Sequence, residues 1–168
     1  SIGYGCTSGS TMIGEKRVAQ ILEQVHPGVP SSNPLTAAKA AFSALKVGSI
    51  GLLTPYTPDV TRAMQRNFAD SGFEIPFVGS FYEDNDLNVG KISEESILDS
   101  AISIGKNPQC AGVFISCTSL RSAGVIEKAE VAIGKPVTAS NHALAWHLLR
   151  LAGVKSQLDG YGTLLSEC

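Results

Sequence analysis

The chain writes one pattern twice. Ser1-Ile-Gly-Tyr-Gly-Cys6-Thr-Ser and Gly112-Val-Phe-Ile-Ser-Cys117-Thr-Ser each run from a short apolar stretch into a cysteine followed by Thr-Ser. A second landmark repeats with them. Ser32-Asn33, ahead of an alanine-rich helical pattern that ends at Val47-Gly48, resembles Ser140-Asn141, ahead of a helical pattern that ends at Ala152-Gly153. The cysteines lie 111 positions apart (117 − 6) and the asparagines 108 (141 − 33), a difference that one loop absorbs. Self-similarity of this kind means that whatever fold one copy takes, the other shares.

Short β-rich runs alternate with longer helical patterns along the rest of the chain, which predicts an α/β fold built from βαβ units around a parallel sheet. Ser49 to Thr54 reads as a buried strand ending at Pro55. Asp59 can cap the helix that follows, with Val60, Met64 and Phe68 on one face, and Gly72 ends it. Phe73 to Val78 reads as the next strand, and Pro76 assigns it to a sheet edge. Ser93 with Glu94 and Glu95 opens a helix that carries Ile97, Leu98, Ala101 and Ile102 and stops at Asn107-Pro108. A strand over 111–115, a helix over 125–133, a strand over 136–139 and a helix over 143–151 complete the series.

Residues 48–154 thus form a complete lobe with four parallel strands. Residues 1–47 read as the second half of another such lobe, and 155–168 as a segment returning to that first lobe. In the complete lobe the first strand begins near Ile50, 67 positions before Cys117 (117 − 50), and no comparable stretch precedes Cys6. By this symmetry roughly sixty to seventy residues of the first lobe are expected to lie ahead of Ser1.

A net charge of −2 and no basic cluster longer than Lys16-Arg17 argue against a nucleic-acid partner. No apolar run approaches the roughly 18–20 residues of a membrane span, and no signal-peptide pattern opens the chain, so a cytoplasmic protein without membrane contact is expected. Four cysteines at 6, 110, 117 and 168 fit neither a disulfide framework nor zinc-ligand spacing, and no metal site is expected.

Cys6 and Cys117 stand where function concentrates. In open parallel sheets ligands bind beyond the carboxyl ends of strands. Each thiol is followed by Thr-Ser and an expected helix start, a setting that favours thiolate and offers backbone N–H groups to a carboxylate. Two lobes facing each other bring the two thiols to one cleft from opposite sides of a ligand, which suits proton transfer on both faces of a carbon, or thiolate addition with proton delivery by the partner. Cys110 and Cys168 lack this context and read as inert. Tyr56, after a strand end and Pro55, projects either into the cleft or into the core, and Arg121 is a weaker candidate for a carboxylate. Asn33 and Asn141 are natural N-caps that also stand at strand ends. His142 and His147 do not share a helix face and read as packing residues, as does Trp146. Gly3 and Gly5 lack the third glycine of a dinucleotide fingerprint.

Gly5-Cys6-Thr-Ser, Leu53-Thr-Pro-Tyr56, Ser116-Cys117-Thr-Ser-Leu-Arg121 and the segment Ser140 to Gly153 together resemble the Asp/Glu racemase superfamily, with the maleate cis-trans isomerase branch most similar. The resemblance spans essentially the whole chain, and Asn141 to Gly153 is its most specific part. It implies two pseudo-symmetric flavodoxin-like lobes, each a parallel four-stranded sheet flanked by helices, the first incomplete here. It also implies no cofactor, a homo-oligomer, and a small dicarboxylate or amino-acid substrate at the lobe interface. Cys6 would be the nucleophile, forming a succinyl thioether, and Cys117 the acid/base. Thr7, Ser8, Tyr56, Thr118 and Ser119 would bind substrate, joined by Asn85 or Asn88 from Asp84-Asn-Asp-Leu-Asn-Val-Gly90. Aspartate and glutamate racemases of the superfamily carry histidine where Ser119 stands, and arylmalonate decarboxylases keep only the second cysteine. Both departures favour the isomerase branch; racemisation by two-thiol proton transfer is the alternative enzyme, and a lobe that only holds an anion is the alternative without catalysis.

Overall fold

The computed structural model describes every residue from Ser1 to Cys168. Two short strands, β1 (Ile2–Gly3) and β2 (Ser31–Ser32), pair in parallel. Four longer ones, β3 (Ser49–Thr54), β4 (Glu74–Ser80), β5 (Gly112–Ile115) and β6 (Val137–Ala139), form a second parallel sheet in the order β4-β3-β5-β6. The intervening helices are α1 (Thr7–Ile13), α2 (Glu15–Val25), α3 (Pro34–Ala44), α4 (Pro58–Ala69), α5 (Asp86–Val89), α6 (Glu94–Gly105), α7 (Ile126–Ile133), α8 (Ser140–Leu151) and α9 (Thr163–Glu167). No helix is long and apolar enough to cross a membrane.

Position in the sheet follows side-chain chemistry. β3 and β5 lie inside and are buried along nearly their whole length, which is why both read as unbroken apolar runs. β4 is an edge strand, as its proline requires. Its pairing with β3 passes from Ser49↔Glu74 to Gly51↔Phe77, so β4 carries one extra residue where Pro76 stands, and the missing N–H is lost at a bulge.

Helix α3 packs in two directions. Leu35, Ala38 and Phe42 enter the core of the four-stranded sheet, where Phe42 meets Phe68, Phe73 and Phe114 at centroid distances of 5.5, 5.2 and 5.5 Å. Ala37 and Ala41 join Ala143, Leu144 and Trp146 of α8 and Leu164 and Leu165 of α9 in a second cluster. Residues 1–47 are therefore packed directly onto 48–154, and the C-terminal segment lies along both. A polar clamp adds to the joint: Glu15 of α2 accepts from Lys39 and Thr36 of α3 and from Asn67 of α4. Burial alone would raise the Glu15 pKa, but those donors outweigh it and hold the carboxyl below its ordinary value.

Three local expectations are corrected. Helix α4 begins at Pro58 with Thr57 as N-cap, because proline is preset for the first helical position; Asp59 falls inside the first turn beside Arg62. Asn33 does cap α3, accepting from the N–H groups of Leu35 and Thr36, but α8 already begins at Ser140 and Asn141 is not its cap. Asn141 instead accepts from Ser122 and donates to the Leu120 carbonyl, fastening the loop after β5. Nor does a helix follow Cys117: the chain turns and α7 begins only at Ile126, which also leaves Arg121 exposed outside any helix.

His142, in the first turn of α8, is 5% exposed with Nδ1 2.9 Å from the Thr138 hydroxyl. Burial pushes its pKa down to about 4, with the Tyr161 backbone opposing. The unfolded chain takes up this proton near pH 6.5, so the stabilisation is present above that pH and is lost as the pH falls towards 4. Between pH 7 and pH 5 the imidazole should remove about 2 kcal/mol of stability. Urea titrations at the two pH values, with His142→Gln showing a smaller difference than the parent, check this.

Candidate active site

Cys6 follows β1 and is the N-cap of α1, with an extended backbone; its Sγ accepts the Gly9 N–H at 3.3 Å and lies 3.6 Å from the Ser8 hydroxyl. Cys117 follows β5 and is 4% exposed. Its φ of 108° is a left-handed value that side-chain-bearing residues rarely adopt. Its N–H donates to Ser140 Oγ at 3.0 Å, and the same oxygen accepts from the Thr7 hydroxyl at 2.9 Å. A second link runs beside the first, from the Thr118 hydroxyl to the Gly5 carbonyl at 2.9 Å. The two cysteine turns are thus tied to each other on both sides, over more than a hundred residues of sequence.

Tyr56 supplies the third wall. Thr54 Oγ1 accepts its N–H, and its carbonyl accepts from the Ser80 hydroxyl, so the turn after β3 is fixed to the end of β4. The residue is buried. Its phenol is pushed well above the ordinary tyrosine value, first by burial, then by the charge of Cys117 and a hydrogen bond with it, while Thr7 and Ser116 oppose. A phenol set among Cys117, Thr7 and Ser116 belongs to the site, and it remains a donor through the neutral range.

In front of Ser8 and Tyr56 opens a cleft of about 180 Å³, also lined by Thr57, Val60, Glu83, Asp84, Asp86 and Val89. Neither cysteine lines this cleft or a larger open depression of about 890 Å³ between α2 and Gly28–Ser31; Ser8, 3.6 Å from Cys6 Sγ, and Tyr56 connect the thiol turns to the smaller one. Asn85 and Asn88 are exposed and do not line the cleft, although the neighbouring Asp84 and Asp86 do; Asn85 caps α5 by accepting the Leu87 N–H. Ser119 is half-buried in the turn after Cys117. Two residues of the site carry no motif of their own. Ser140 is visible in the sequence only as a landmark of the repeat, and its counterpart Ser32 bonds elsewhere, to His147 Nδ1 at 2.8 Å. Tyr4 is the other.

Ser140→Ala would leave the buried Cys117 N–H and the Thr7 hydroxyl without their shared acceptor. A loss of about 1–3 kcal/mol is expected, read as a lowered urea midpoint, while Ser140→Thr should retain most of the stability.

These two fastened thiol turns, each after a strand of its own parallel sheet, agree with a sequence comparison: the model of the arylmalonate decarboxylase family matches residues 6–165. The chain belongs to the arylmalonate decarboxylase family. This places it in the Asp/Glu racemase-like superfamily expected from its motifs. Among its relatives, a maleate isomerase from Alcaligenes faecalis is 24% identical over 79% of this chain. An arylmalonate decarboxylase from Bordetella bronchiseptica is 26% identical over 83% of it. The chain spans 53% of the first relative and 59% of the second. Its fold also superposes on the Nocardia farcinica maleate cis-trans isomerase, in a cysteine-to-serine mutant with a covalently bound succinylcysteine intermediate, with a TM-score of 0.89 at 22% identity, over 99% of this chain and 71% of that one.

Proposed function

We propose that the protein is a cofactor-independent isomerase of a small dicarboxylate, converting maleate to fumarate with Cys6 as nucleophile and Cys117 as acid and base. The observation that carries this reading is the pair of links that joins the two cysteine turns, Thr7 and Cys117 to Ser140 and Thr118 to Gly5. Each thiol, alone at a strand end, would read as a packing residue; on turns fastened together and connected through Ser8 and Tyr56 to one cleft, they can act on one ligand.

Cys6 Sγ attacks one alkene carbon. The C–S bond forms as the π bond breaks, and the electron pair passes to the neighbouring carbon, where its carboxylate disperses it. Cys117 delivers a proton to that carbon, leaving a succinyl thioether whose central bond is single and free to turn. The Cys117 thiolate then takes a proton back, the double bond re-forms in the trans arrangement, and Cys6 leaves as thiolate. The succinylcysteine of the Nocardia isomerase is an adduct of the type this path requires. The hydroxyls of Thr7 and Thr118 are committed to Ser140 and Gly5 and shape the walls. The carboxylates are held by backbone N–H groups of both turns, by the hydroxyls of Ser8 and Ser119, and by the Tyr56 phenol.

The family match favours a second reading, decarboxylation of an arylmalonate with protonation by Cys117 alone. Maleate, phenylmalonate, and L-aspartate in heavy water, each given to the full-length protein and followed by NMR, separate the possibilities. Fumarate supports isomerisation. Loss of carbon dioxide from phenylmalonate without fumarate supports decarboxylation, and deuterium at the aspartate α-carbon supports two-thiol racemisation. If none occurs and anion binding survives alkylation of the cysteines, the anion-holding lobe replaces all three.

A further inference from the structure

Tyr4 stands two residues before Cys6 and outside the repeated Cys-Thr-Ser motif. Its backbone is fixed, because its N–H donates to the Ser32 carbonyl at 3.0 Å and so extends the ladder between β1 and β2. Its half-buried side chain turns over α1. A Cβ built on Gly9, the third residue of that helix, would collide with Tyr4 Oη and come within 3.1 Å of Cys6 Sγ and 3.2 Å of Tyr4 Cε1. Phenol oxygen and sulfur therefore border the same space above one glycine, space that a side chain there would fill. The phenol's pKa is raised, by burial first and then by the charge of Cys6 and a hydrogen bond with it, so it keeps its proton at neutral pH and remains a donor.

We infer that Tyr4 is a positioning residue for Cys6: its hydroxyl donates a hydrogen bond to the thiolate, completing a set of donors with the Gly9 N–H and the Ser8 hydroxyl, and Gly9 is the residue that makes room for it. The role assigned to Tyr4 rests on the reading of Cys6 as nucleophile. It gives the two thiols matching phenols, Tyr4 for Cys6 and Tyr56 for Cys117, from the turns that follow β1 and β3.

A hydrogen bond to a charged acceptor stabilises it, so removing this one shifts Cys6 towards the unreactive thiol. The test is alkylation of the full-length protein by iodoacetamide, with each cysteine followed separately by peptide mass spectrometry and no substrate present. In Tyr4→Phe, Cys6 should react about five- to tenfold more slowly at neutral pH, while Cys117 keeps its parental rate. At pH 10 the variant should react at least as fast as the parent, because a less hydrogen-bonded thiolate is the stronger nucleophile. Gly9→Ala improves helix propensity but evicts the phenol, and it should slow Cys6 in the same way. Equal Cys6 rates in parent and both variants overturn the inference. So does slowing that reaches Cys117 equally, or that persists at pH 10, since either marks general disturbance. Because no turnover is measured, failure of the maleate assay and failure of this assignment are separate results.

Discussion

Replacing Cys6 by serine should reduce maleate isomerisation by at least about a thousandfold while the fold survives, since a hydroxyl of similar size is almost entirely un-ionised at neutral pH and is a poor partner for conjugate addition. The partner substitution fails differently. Under the proposed mechanism Cys117→Ser keeps the nucleophile but impairs proton traffic at the neighbouring carbon, so turnover should fall and a substrate adduct should accumulate on Cys6, visible as added mass on its peptide. The asymmetry of the two outcomes is the informative part. A Cys6→Ser variant that still acts on phenylmalonate but never on maleate would move the protein to the decarboxylase reading, which uses only Cys117. Steady-state rates by NMR and intact-protein mass spectra are the measurements.

Phe114→Ala should destabilise the protein by about 3–5 kcal/mol, a large share of the roughly 5–15 kcal/mol that holds a typical domain folded. The ring is fully buried in the middle of β5 and meets Phe42 and Phe68 edge-on, with centroids 5.5 and 5.7 Å away and interplanar angles of 86° for both. Truncation removes both contacts and leaves a cavity between sheet and helices that the surrounding rings cannot fill without leaving their own positions. Because Phe42 belongs to α3 and Phe68 to α4, the damage spreads to the joint between the first 47 residues and the sheet. Urea unfolding should show a lower midpoint at an unchanged slope, and Phe114→Leu should recover much of the loss. A cost below about 1 kcal/mol would contradict the packing described for this cluster.

What the sequence revealed, and what it did not, divides by the range of the forces involved. Strands β3 and β5 were legible because burial on both faces leaves an uninterrupted apolar run, and the edge position of β4 because Pro76 cannot donate to a ladder. The nearness of the two cysteine turns came from the repeat, which carries long-range information in one dimension. No helix follows Cys117 although the same Cys-Thr-Ser letters at Cys6 open one; the letters do not show that the backbone is extended at Cys6 and left-handed at Cys117. Asn141 was misplaced for a related reason, since a residue type suited to capping is equally suited to fastening a loop, and only tertiary structure chooses between them. Tyr4 was invisible because nothing local links it to Cys6 until Gly9 is seen to leave a gap beneath both.

The backbone at Cys117 has a further meaning. A cysteine there opposes its own conformational preference, at a cost of about 1–3 kcal/mol that the surrounding contacts must cover. In exchange, the main chain at this turn sets the direction in which the Cα–Cβ bond leaves the backbone. Glycine would relieve this conformation, so Cys117→Gly should fold at least as stably as the parent, and the thiol there is a burden on folding that only its chemistry under the proposed mechanism would repay.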